Sequence, residues 1–197
     1  MLCTGNICRS PMAEVLLADA LTRRGVDARV HSAGLLEDGR PASEHSVTCM
    51  ADRGLDLSAH ASRVMTPDLL AGADLVVGME RRHVREAAVL DRAVWPRSFT
   101  LRELVRRAEA AGPRPAEVDL GAWLAHLSEG RTTADHLGTS RDDEVADPIG
   151  RPLKHYRRCA EDLVDLTARL VALLWPGDAP ADQAVTPDAA APSRPRS

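Results

Sequence analysis

Aromatic side chains are nearly missing from this chain: one Tyr, one Phe and three Trp in 197 residues. That scarcity leaves few rings available for stacking against an aromatic ligand. Lysine occurs once, at Lys154, and the formal net charge is −4, so the chain as a whole carries no nucleic-acid or polybasic membrane footprint. No apolar run reaches the roughly 18 residues of a membrane-spanning helix. The sequence does not open on a charged stretch followed by an apolar one, so no secretory signal is readable. Four cysteines suit a reducing cytoplasm better than a disulfide scaffold. Neither a metal nor a nucleotide cofactor is expected: no Cys or His lies at ligand spacing from His60, and no Gly-Lys-Ser/Thr ending closes a phosphate loop.

What the chain does have is concentrated at its start. Cys3-Thr4-Gly5-Asn6-Ile7-Cys8-Arg9-Ser10 is followed at once by Pro11-Met12-Ala13-Glu14. A cysteine, five residues, an arginine and a hydroxyl form the set needed to attack phosphorus with sulfur. The intervening loop, leading into a helix start, can aim backbone N–H groups at one dianion. Gly5 allows tight curvature and positive φ, and Asn6 is the next most tolerant residue for that conformation. Arg9 supplies a planar fork for two phosphate oxygens. Ser10 can donate to the sulfur of Cys3, stabilising the thiolate as nucleophile and as leaving group. Cys3 is therefore the candidate nucleophile.

Periodicity organises the rest. Pro11–Arg24 reads as a helix with Ser10 as its cap, Ala28–Ser32 as a short strand, and Ser43–Arg53 as a second helix. Ala73–Met79 is a continuous apolar run of strand length, Glu80–Ala93 a helix, and Val94–Thr100 another strand. His155–Trp175 is a long amphipathic helix. Strands alternating with helices predict a parallel sheet covered on both faces, an α/β three-layer doubly wound fold. Leu101–Arg141 contains two helical pieces and reads as an insertion, a lid or a partner surface. Residues 1–175 form the expected domain, and the Pro- and Ala-rich tail Pro176–Ser197 is expected to be disordered.

The loop resembles that of the low-molecular-weight protein tyrosine phosphatases. The resemblance continues through His31-Ser32-Ala33-Gly34, Gly54–His60, Ala73–Glu80 and Asp147-Pro148, about two thirds of the chain. It implies a four-stranded parallel sheet and hydrolysis of a phosphotyrosine protein or small aryl phosphate through phosphocysteine. It also implies Asp147 as general acid and base, restricted to extended backbone by Pro148. Thr4, Gly5, Asn6, Ile7 and Cys8 would bind substrate through the loop, with Ser32 and His60 holding a strained Asn6 from behind. Cys8 is either a partner for Cys3 in a reversible disulfide or a small apolar filler. Asp142 and Asp143 read as solvated charges, and Cys49 and Cys159 as core residues. The remaining histidines, His83 among them, receive no role.

Three departures bear on these expectations. Only Met1 and Leu2 precede Cys3 where the family has a full central strand, so that strand looks truncated and an upstream start is expected. The cleft walls that carry aromatics in phosphotyrosine-directed members hold Leu35-Leu36-Glu37 and Ile149-Gly150, with Trp95, Phe99 and Trp123 as candidate replacements. Ile7 stands where the family pattern links isoleucine to phosphotyrosine and threonine to phosphoarginine. The alternatives are an arsenate reductase, for which only Cys49 and Cys159 remain as relay thiols, and a phosphate-binding module impaired by the short first strand.

Overall fold

The computed structural model describes residues 1–132 and 141–177. The expected disordered tail lies almost wholly outside them, as does the end of the Leu101–Arg141 segment. Seven α-helices and one regular parallel strand pair make up the described chain: α1 (Arg9–Arg23), α2 (Glu44–Ala51), α3 (Pro67–Ala71), β1 (Val76–Gly78), α4 (Arg81–Leu90), β2 (Ser98–Thr100), α5 (Leu101–Ala111), α6 (Leu120–Ser128) and α7 (Leu153–Leu174).

Parallel β1 and β2 pair in the register Val76–Ser98, Val77–Phe99 and Gly78–Thr100. Leu2 extends this pair by single parallel bridges to Gly78 on one side and Ala33 on the other. Its N–H donates to Val77 at 2.7 Å, and its carbonyl accepts from Met79 at 2.9 Å. Successive residues of β1 face opposite ways. Val76 packs with Leu2, Ala33, Leu70, Ala87 and Val94, whereas Val77 joins Met12, Met79, Phe99, Leu104 and Leu163. Apolar material therefore covers both faces, as expected for an α/β fold.

The strands are shorter than the sequence suggests. Residues 28–32 have no ladder partner among the described residues, because only Ala33 meets Leu2. Residues 94–97, read as the start of a strand, lie instead in a 3₁₀ turn over Arg92–Arg97 capped by Asp91, whose carboxylate accepts from Ala93 N–H at 2.9 Å. Helix α1 begins one residue before its expected cap. Cys8 occupies the cap position without a side-chain bond, and Ser10 lies inside the helix.

The Leu101–Arg141 segment is core, not lid, over its described part. Thr100 and Glu103 form a reciprocal capping box at the start of α5, whose Leu101, Leu104, Val105 and Ala108 are buried. Trp123, Leu124 and Leu127 of α6 join the same core. Arg131 locks the arrangement with a wholly buried side chain: it meets Glu103 at 2.9 Å and the Ser98 carbonyl at 2.7 Å. Its guanidinium also lies 4.2 Å from the Phe99 ring centroid and 4.7 Å from that of Trp95. Phe99 and Trp123 are thus buried and Trp95 is stacked, so none of the three replaces a cleft wall.

Arg131→Ala should be severely destabilising, because it leaves the Glu103 carboxylate buried with only half-buried Arg107 beside it. The expected cost is about 3 kcal/mol, read as a lowered urea midpoint with little change in slope.

Candidate active site

A trans peptide points its carbonyl and the following N–H in opposite directions, and no described peptide is cis. In the segment after Cys3, external donors hold the carbonyls. The carbonyl of Thr4 accepts from Leu35 N–H at 2.8 Å, and that of Ile7 from Ser43 N–H at 2.7 Å. That of Asn6 accepts from His60 Nε2 at 2.6 Å. The N–H groups of Gly5, Ile7 and Cys8 are thereby turned to the other side of the chain. None of the N–H groups from Thr4 to Cys8 has a protein partner among the described residues. Such a ring of free donors at a helix start is an anion cradle.

Asn6 is the one non-glycine residue at positive φ among those described, at 49°. Of the two loop residues suited to a left-handed bend, it is Asn6 and not Gly5 that takes it. Both amide hydrogens of Asn6 are used, to Ser10 Oγ at 2.9 Å and to Ser32 Oγ at 2.8 Å, and Arg63 N–H fixes its Oδ1 at 2.9 Å. Ser10, having accepted from Asn6, keeps its single hydrogen for Cys3 Sγ at 2.9 Å. Ser32 passes its own hydrogen to the Glu14 carboxylate. The hydroxyl expected to cap α1 is thus committed to the sulfur, which explains the uncapped start.

Gly34 makes this approach possible. A Cβ there would stand 2.9 Å from Asn6 Cβ, Asn6 N and the Thr4 carbonyl oxygen. At Gly5, by contrast, a Cβ would meet only the Ile7 and Leu36 side chains, none closer than an ordinary 3.5 Å.

Arg9 is 2% exposed and makes three side-chain hydrogen bonds: it donates to Glu80, to Asp147 Oδ2 at 2.7 Å and to the Val145 carbonyl at 3.0 Å. Burial opposes its charge, but Asp147 and Glu80 outweigh that, so the guanidinium is held above its ordinary range. Asp147 reaches the site on an anchored loop. Val145 N–H bonds the Met79 carbonyl at 2.8 Å, and the Asp147 Oδ1 accepts from Ile149 N–H at 3.1 Å. Asp143, expected to be solvated, is 9% exposed and pairs with Arg81 and Arg106, each at 3.1 Å; Asp142 is exposed. Two helices therefore brace the loop through a residue taken for a surface charge.

All four cysteines are free thiols. Burial pushes Cys8 up to about 12 and raises Cys159 as well, so both stay protonated at neutral pH. Sequence reasoning missed Glu14, Gly34, Glu80 and His83. Glu80 and His83 form the capping box of α4, yet the pattern is not the usual Ser/Thr with Glu/Gln, and its contact to the loop is tertiary.

His83 is wholly buried, and desolvation, with Arg9 nearby, lowers its pKa from 6.5 to about 3. Between these values the unfolded chain binds the extra proton, so stability is full above about 6.5 and falls as pH drops toward about 3. Urea unfolding at about pH 7 and about pH 5 should show a larger acid loss for the wild type than for His83→Gln. Gly34→Ala should lower stability by about 1–3 kcal/mol through overpacking, and weaken orthophosphate binding in calorimetry because the contacting atoms belong to the loop.

Comparison with known proteins agrees with this geometry. Residues 1–114 match the model of the family described as low molecular weight phosphotyrosine protein phosphatase. The chain is 28% identical to a protein-arginine-phosphatase of Bacillus subtilis over 87% of this chain and 93% of that protein. It is 32% identical to an Escherichia coli low molecular weight protein-tyrosine-phosphatase over 57% of this chain and 74% of that one. A solved low molecular weight protein tyrosine phosphatase from T. tengcongensis superposes with TM-score 0.67 at 29% identity, covering 88% of this chain and 96% of that one. The chain belongs to the low molecular weight phosphotyrosine protein phosphatase family of cysteine-dependent phosphatases.

Proposed function

We propose that Cys3, Arg9, Ser10 and Asp147 carry the chemistry and that the substrate is a protein phosphotyrosine. The observation that supports this most is the joining of Cys3, Ser10 and Asn6 in one directed hydrogen-bond chain beneath free N–H groups. The phosphoryl group sits on the Thr4–Cys8 loop, with Cys3 Sγ behind phosphorus. Sulfur attacks, the P–O ester bond breaks, and Asp147 gives its proton to the leaving oxygen. Water then loses a proton to Asp147 and attacks phosphorus; the S–P bond breaks and inorganic phosphate leaves.

Asp147 lies against Arg9 through its Oδ2. An arriving dianion competes for the Arg9 guanidinium and leaves the Asp147 side chain free to turn to the leaving oxygen. Asn6, Ser32 and His60, joined by Glu14, hold the loop. Leu2 and Ala33 extend the regular strand pair toward the family's four-stranded sheet. Residues 1–175 form the catalytic domain, acting in the cytoplasm without cofactor or metal. No helix among the described residues is long and apolar enough to cross a membrane.

Ile7 at its position supports phosphotyrosine, while the length of the match to the arginine phosphatase makes phosphoarginine the comparison substrate. Arsenate reduction is not favoured, since Cys49 is 0% and Cys159 4% exposed and neither thiol can relay a disulfide from the surface.

Cys3→Ser should abolish hydrolysis of p-nitrophenyl phosphate while orthophosphate still binds. Asp147→Asn should slow phenyl phosphate roughly 10²-fold or more and p-nitrophenyl phosphate far less, because p-nitrophenolate leaves without a proton. Equal slowing of the two esters removes Asp147 from the acid role. Release of phosphate from phosphotyrosine and phosphoarginine peptides, compared by kcat/KM, decides the substrate class.

A further inference from the structure

His83 is the buried ring that the mechanism leaves unused. Its Nδ1 accepts the N–H of Glu80 at 3.0 Å. That nitrogen therefore carries no proton, and the neutral ring has its one hydrogen on Nε2. Nε2 lies 3.0 Å from Thr4 Oγ1, so His83 donates and Thr4 accepts. With a pKa near 3, set by burial and by neighbouring Arg9, the ring keeps this single tautomer throughout the neutral range.

The same helix turn also holds Arg9, through the Glu80 carboxylate. One end of α4 thus grips the loop at both extremities, beside Cys3 and at the arginine that closes it. Gly5, next to Thr4, has no side chain by which its own peptide could be held. The Thr4–Gly5 peptide is fixed instead from the Thr4 side, by Leu35 at the carbonyl and by His83 at the hydroxyl.

We propose that His83 is a positioning residue of the anion loop, acting through Thr4 to keep the Gly5 N–H aimed at the phosphoryl group in register with Arg9. This rests on the phosphatase reading above and adds a residue that the reaction itself does not touch.

Four variants test it. His83→Asn keeps an acceptor near Nδ1 for the Glu80 N–H but is too short to reach Thr4. His83→Gln places an amide donor near Nε2. Thr4→Val removes the acceptor at nearly constant shape, and the fourth variant combines His83→Asn with Thr4→Val. Orthophosphate affinity is measured by calorimetry, and kcat and KM with p-nitrophenyl phosphate. His83→Asn and Thr4→Val should each weaken orthophosphate binding roughly three- to tenfold, the yield of one neutral hydrogen bond, and lower kcat by at least as much. The double variant should fall no further than either single one. His83→Gln should recover affinity to within about twofold of wild type. Wild-type affinity in His83→Asn, additive losses in the double variant, or no recovery with glutamine overturns the proposal. A lowered melting temperature with unchanged affinity assigns His83 to the helix cap alone and overturns it too. Orthophosphate binding without Cys3-dependent turnover overturns the phosphatase reading, and the affinities of the variants then still decide the role of His83. A wild-type protein that binds no orthophosphate overturns both.

Discussion

The direction in which a few peptide planes face is the constraint on which this site depends. A loop can offer N–H groups to an anion only if its carbonyls are satisfied elsewhere, since a buried unpaired carbonyl is costly. Here Leu35, His60 and Ser43 supply those outer partners. The rest of the fold explains why these donors stand where they do. Leu2 bridges Ala33, which brings the chain of residues 33–35 alongside the loop. Gly34 lets that chain come close enough for the Leu35 N–H to reach Thr4, because no Cβ intervenes. His60 arrives on a separate segment, whose neighbour Arg63 also fixes the Asn6 amide.

Arg9 shows how one buried charge can be both secured and available. Its two carboxylate partners are not equivalent. Glu80 begins helix α4 and caps it, so displacing its side chain would also cost a helix cap. Asp147 sits on a loop, with 36% of its side chain exposed against 25% for Glu80. On the proposed mechanism an incoming anion would therefore displace Asp147 more readily than Glu80, which would hold the guanidinium in its orientation. Asp143 lets Asp147 move without losing its place: the loop behind it stays pinned between Arg81 and Arg106.

The parts legible in the sequence are those whose partners are close in the chain or whose chemistry is unusual. Cys3, Arg9 and Ser10 lie within one loop and one helical turn, and Asp147 precedes a proline and a long helix. Helix positions follow from apolar spacing that needs no knowledge of the partner. Strand lengths do not, because a strand exists only where a neighbour completes its ladder; residues 28–32 read as a strand and lack one. Glu14, Glu80 and His83 were invisible for a related reason. Each meets the site across 18 to 79 residues of sequence, and nothing in a glutamate or histidine on a helix announces that contact. Asp143 was misread because a second acidic residue beside Asp142 looks solvated until two arginines from separate helices converge on it.

The shortage of aromatics finally acquires a structural meaning. Phe99, Trp123 and Tyr156 are at most 4% exposed, and Trp95 stacks on Arg131, so these rings serve the interior. The exposed apolar groups nearest the loop and the acid are Leu36 and Ile149, at 57% and 49% exposure. Aliphatic side chains shield a substrate from water without the facial complementarity that a ring offers a ring. Selection between substrates then rests neither on ring stacking at the walls nor on the floor, where the grip on the phosphoryl group is the same for every ester. What distinguishes one ester from another at such a site is the leaving atom and its need for a proton. On the mechanism proposed above, discrimination then falls to Asp147, the group that would face the leaving side.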